Sequence, residues 1–217
     1  MLFFKKRYKY CIFAQPIQTT KMILPIVAYG DPVLKKVAKD IDKDYTKLQD
    51  LIANMYETMY NAYGVGLAAP QIGLPVRLFV VDTTGFAEDD ELSEEEQAFL
   101  RGFKKTFINA KILKEEGDEW VFNEGCLSIP DVREDVFRKP VITIQYQDED
   151  FNTHTETFSG LAARVIQHEY DHIEGVLFTD KLSSLKKKLI KNRLSNISKG
   201  KIRVDYRMKF PLEKKKR

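Results

Sequence analysis

The chain has 217 residues, 43% of them hydrophobic, and a formal net charge of +3 at pH 7. That is enough for one well-packed domain and too little for two large ones. No apolar run approaches the roughly 20 residues of a membrane span. The two cysteines, Cys11 and Cys126, make no disulfide framework, so a reducing, cytoplasmic location is expected.

Residues 1–21 are basic and aromatic, and their uncharged stretch from Tyr10 to Thr20 holds only a short apolar run, Cys11 to Ala14, which is a poor secretory core. Met22 is the expected natural start, with 1–21 an N-terminal extension that is either disordered or read from an upstream start. Tyr45 to Ala62 has helical periodicity through Leu48, Ile52, Met55 and Met59. A glycine-rich stretch, Gly64 to Gly73, leads into a short apolar strand from Val76 to Val81. An acidic insertion follows at 85–105, with Glu88-Asp89-Asp90-Glu91 and Glu94-Glu95-Glu96, read as a solvated loop and short helix. Further strand candidates are Phe107 to Leu113, Trp120 to Phe122, Val141 to Tyr146 and Thr153 to Phe158. His154 alternates with polar neighbours in the last of these and receives no role. Strands leading into one central helix predict an α+β domain, with antiparallel or mixed sheets around that helix.

The central helix carries the most informative stretch, His168-Glu169-Tyr170-Asp171-His172. Ser159 is a candidate N-cap, Leu161, Val165, His168 and His172 recur at helical spacing, and Gly175 offers a left-handed stop. Imidazoles at i and i+4 share one helix face and can hold one divalent ion. Glu169 lies beside that ion without binding it, where it can take a proton from a water whose pKa the ion has lowered to about 7 and hand it to a leaving nitrogen. The competing reading is a surface helix with two solvated histidines. Two of the chain's three histidines fall in this pattern, on a face that reads as buried, which favours the metal site.

A catalytic site needs a third ligand, and no histidine or cysteine follows His172. Glu174 and Asp180 do follow, but upstream stands Glu124-Gly125-Cys126-Leu127-Ser128-Ile129-Pro130. Cys126, in a strand-like setting, is either a ligand or a small buried hydrophobe. Glycines at 64 and 66 let a backbone approach closely, so an extended peptide could add as a strand there. A simple turn is the alternative.

These segments, in order, with Gly64-Val65-Gly66-Leu67-Ala68-Ala69-Pro70-Gln71-Ile72-Gly73, resemble the peptide deformylases of bacteria. The start from Met22 to Pro32 and an arginine at 133 extend the resemblance to about Met22 to Leu182. It implies a metallohydrolase that removes the formyl group of N-formylmethionyl nascent peptides. It implies Cys126, His168 and His172 as metal ligands, Glu169 as general base and then acid, and the Gln71 side chain and Leu127 backbone N–H as oxyanion donors. Substrate contacts fall to Gly64, Val65, Gly66 and Glu124, with Leu161 and Val165 joining Val65 around a methionine side chain. The implied ion is Fe2+ first and Zn2+ second, Ni2+ and Co2+ suiting the same donors.

On this reading 22–182 is the catalytic domain and 183–217 a basic C-terminal helix and tail. From Lys181 onward there are 15 Lys and Arg against two acids, so the rest of the chain is net acidic. Such a tail either docks on ribosomal RNA or packs on the domain's own acidic surface. Two rival functions remain: a zinc endopeptidase using the same helix, and a non-catalytic ribosome-associated binding protein.

Overall fold

The computed structural model describes residues 22–88, 90 and 92–212; the extension 1–21, with Cys11, lies outside the described residues. In chain order the strands are β1 (Ile26–Val27), β2 (Gly66–Ala68), β3 (Leu78–Asp82), β4 (Lys104–Glu116), β5 (Trp120–Cys126), β6 (Ile129–Arg138), β7 (Val141–Gln147), β8 (Thr153–Ser159) and β9 (Met208–Lys209). The helices are α1 (Leu48–Asn61), α2 (Glu94–Gly102), α3 (Gly160–Ile173) and α4 (Ser184–Ser198). β2, β3, β4, β7 and β8 form an antiparallel sheet in the order β2-β3-β4-β7-β8; β5 and β6 make a hairpin, and β1 pairs with β9 in parallel. This is the expected α+β architecture.

The large sheet is covered on both faces, and β3 shows how. Its alternate residues Phe79 and Val81 join Phe107, Ile144 and Phe158 in a core that packs against Ala162, Ala163 and Ile166 of α3. Leu78 and Val80 face the other way, toward Ile52, Met55 and Met59 of α1. A strand buried on both sides reads as a continuous apolar run, which is why Leu78–Val81 carries no polar residue. α1 starts at Leu48, since its buried residues Leu48, Ile52, Met55 and Met59 recur every three or four positions only from there.

α3 begins after Ser159, whose side chain makes no capping bond, and it ends where Gly175 turns left-handed at φ +71°. A Cβ on Gly175 would lie 2.8 Å from the Lys35 carbonyl, so glycine is required there. The acidic insertion forms a turn at Thr83–Phe86 and α2, whose N-cap Ser93 exchanges bonds with Glu96.

Two regions depart most from the sequence reading. β6 was not foreseen because Pro130 and five charged residues dilute its pattern, and because Ile129 and Pro130 are buried side by side before Asp131 takes φ +60°, which breaks the alternation at its start. The C-terminal segment is the other. Ile190, Leu194 and Ile197 of α4 are buried with Val27 of β1, Val132 and Val136 of β6 and Phe178, and β9 returns beside β1. The chain from Ser184 to Lys209 thus shares a core with the catalytic segments. No helix among the described residues is long and apolar enough to cross a membrane.

Candidate metal centre and substrate cleft

α3 runs across the large sheet with His168 and His172 one turn apart, and β5 delivers Cys126 to the same point from the hairpin. One ligand atom from each of Cys126, His168 and His172 lies within 4.8 Å of the others. Cys126 Sγ is 3.2 Å from His172 Nε2, and the two imidazoles stand nearly perpendicular, 5.2 Å apart. His168 Nδ1 is 2.9 Å from Glu124 Oε2 and donates to it, so that Nε2 is the nitrogen that would meet an ion. His172 is buried, its Nδ1 has no partner, and burial holds its pKa well below the ordinary value, so it is a neutral imidazole. A thiol and two imidazoles turned toward one point, His168 among them fixed from behind by Glu124, fit a single divalent ion.

Behind His168 lies a buried charge cluster. Glu124 receives Arg138 Nε at 2.7 Å and Arg138 Nη2 at 3.0 Å, and Arg164 Nη1 at 3.0 Å. Arg138 also reaches Asp171 at 2.7 Å. Burial alone would raise the Glu124 pKa, but bonds from His168 and Arg138 hold it well below the carboxylate range. The carboxylate therefore has its oxygens occupied by His168 and the two arginines.

Glu169 is the opposite case. It is buried, its Oε2 has no hydrogen-bond partner, and burial pushes its pKa up to about 7. It packs on β2, where a Cβ at Gly66 would lie 2.7 Å from its Cγ and closer still to Oε1, so glycine makes room for it. Gln71, also buried, accepts the Ala68 N–H at 2.8 Å through Oε1, and its Nε2 points to Cys126 Sγ at 3.5 Å. Because a backbone N–H can only donate, that bond fixes which end of the amide faces the site.

A cleft of about 520 Å³ opens over these groups. Gly64, Val65 and Gly66 line one side, leading into the outer strand β2. Gln71, Cys126, Leu127, His168 and Glu169 lie in it, and Val165 lines it with Phe86 and Phe122. Leu161 is not among its lining residues, and Glu124 borders it with its oxygens already occupied. Phe122, Arg138, Arg164 and Tyr206 escaped the sequence reading. Alternation could have found Phe122, which shares a strand face with Glu124 and Cys126. Arg164 sits one helical turn before His168, a weak hint, and nothing local links Arg138 or Tyr206 to the site.

One ion beside a carboxylate that can carry a proton near neutrality is the working set of a metal-dependent hydrolase. Comparison with known proteins narrows this. The polypeptide deformylase family model matches residues 23–188. The chain is 71% identical over 196 residues to a peptide deformylase of Christiangramia forsetii, covering 90% of this chain and all of that one, and 70% identical to that of Flavobacterium johnsoniae over the same shares. Among solved structures, a peptide deformylase from Legionella pneumophila superposes with a TM-score of 0.70 at 36% identity, over 83% of this chain and 98% of that one. The chain belongs to the peptide deformylase family, metalloenzymes whose reaction removes the formyl group from N-formylmethionyl peptides.

Proposed function

We propose that the chain deformylates nascent peptides with Glu169 as its proton-transfer group, and the observation that carries this is a buried carboxylate with one oxygen lacking a partner beside the Cys126, His168 and His172 donors. A divalent ion held by those three would act as Lewis acid and lower the pKa of a water to about 7. Glu169 accepts the proton of the attacking water and delivers it to the departing amine. Gln71 Nε2 and the Leu127 N–H donate to the oxygen on which charge develops. The substrate backbone pairs along Gly64 to Gly66, and its methionine side chain enters the apolar part of the cleft at Val65, Phe122 and Val165. Glu124 keeps His168 in the ligating tautomer.

Fe2+ is the native ion in this reading, with Zn2+, Ni2+ or Co2+ able to replace it, because a thiolate and two imidazoles accept all four. The catalytic domain is 22–182 with the acidic insertion at 85–105, and the basic segment from 183 onward adds α4 and β9 to its core in a cytoplasmic enzyme. That segment contacts ribosomal RNA through the lysines that do not face the domain. Lys186 does face it, meeting Glu134 at 2.9 Å. Co-sedimentation with ribosomes across a salt series tests the contact; a salt slope unaffected by reversing the α4 lysine charges would defeat it.

The primary test is formate release from formyl-Met-Ala-Ser by anaerobically purified protein, with metal content measured on the same sample. Release at about one iron per chain, without internal cleavage, supports the whole reading. Internal peptide cleavage would favour the endopeptidase, and inertness at full loading a binding protein.

A further inference from the structure

The Leu127–Ser128 turn that closes the β5–β6 hairpin is held from outside by two groups. The Tyr29 N–H donates to the Ser128 carbonyl at 2.8 Å, and the Tyr206 hydroxyl donates to the Leu127 carbonyl at 2.8 Å. Tyr206 lies beyond the residues matched by the family model, in the segment that follows α4 and crosses back to the cleft, which it lines. It is firmly placed. The Ile26 N–H donates to the Arg207 carbonyl and the Ala28 N–H to the Lys209 carbonyl, both at 2.9 Å, and the Tyr206 ring packs in the same core as Leu127. Burial raises its pKa, so the phenol remains a donor.

We propose that Tyr206 is a positioning residue for the reaction: its hydroxyl fixes the Leu127–Ser128 peptide and so aims the Leu127 N–H into the cleft. This rests on the reading of Leu127 as an oxyanion donor. A two-residue turn is where a peptide plane can rotate most easily, through paired changes in ψ of one residue and φ of the next. The Leu127 N–H turns on ψ of Cys126 and φ of Leu127; holding the Leu127 carbonyl fixes ψ of Leu127, and for a residue with a Cβ a fixed ψ leaves φ only a restricted sterically allowed range. An oxyanion donor acts only if it is aimed before charge develops.

Tyr206→Phe keeps the ring and removes only the hydroxyl. Losing an oxyanion donor outright costs about 10²–10³ in kcat, so a loosened one is expected to lower kcat about tenfold. KM, metal content and thermal midpoint should stay close to those of the parent. In the zinc-loaded protein, the Leu127 amide resonance should shift and exchange faster with solvent. An unchanged kcat with an unchanged Leu127 amide overturns the role of Tyr206. A raised KM at constant kcat also overturns it, making Tyr206 a substrate wall. A disturbed Leu127 amide with unchanged kcat locates the failure in the donor reading of Leu127, and the proposal falls with it.

Discussion

Glu124 and Glu169 are each 4% exposed, and they meet that burial in opposite ways. Glu124 is enclosed by His168, Arg138 and Arg164, and stays ionised. Glu169, toward β2, keeps one oxygen without a partner, and its pKa rises to about 7. Burial does not by itself decide the charge of a carboxylate; the donors supplied by its neighbours do. The paired acid is suited to holding a ligand still, and the unpaired one to moving a proton.

That contrast breaks most sharply at Glu169. Glu169→Gln should keep the metal that Cys126→Ala loses, while turnover falls by about 10²–10⁴. Metal analysis beside steady-state kinetics checks both, and equal metal loss in the two variants would remove Glu169 from its role. Arg138→Met leaves Glu124 and Asp171 short of a buried cation, so a loss of about 3–5 kcal/mol is expected in denaturant titration. A loss under 1 kcal/mol would mean that Arg164 alone compensates the cluster. Glu124→Gln should weaken metal affinity by about 10–100-fold in chelator competition, since the support of His168 is weakened while all three ligand side chains remain. If kcat at full loading fell as far as in Glu169→Gln, the division between the two acids would be wrong. The smallest effect is expected at Lys186. Its pair with Glu134 is at the surface, so Lys186→Ala should cost no more than about 1 kcal/mol, decreasing with salt.

Much of this site is legible in sequence because its parts are local. His168, Glu169 and His172 lie within five residues, and the turn from Ala68 to Gln71 carries its own hydrogen bond. α3 and β3 announce themselves through periodicity, since each buries a regular face. What supports the site is different in kind. Arg138 meets Glu124 across the β5–β6 hairpin, where the strand pattern is obscured by charged residues and an irregular register at Cys126. A buried arginine leaves no mark in sequence that distinguishes it from a solvated one. The placement of α4 was equally hidden: its lysines suggest a tail, while only Ile190, Leu194 and Ile197 reveal the buried stripe.

The parallel pairing of β1 with β9 also sets an order of assembly. Arg207 donates to the Ile23 carbonyl across 184 residues of chain, so β1 waits for a segment far downstream to be synthesised before it has its partner. Contacts this distant require a large loop-closure entropy to be overcome before they reward the chain, and they form late in folding. The large sheet and α3 can pack from residues made earlier. Residues 203–206, which line the cleft, then take their places late, and a newly made molecule acquires its metal donors before it acquires the hydroxyl that holds the Leu127 carbonyl.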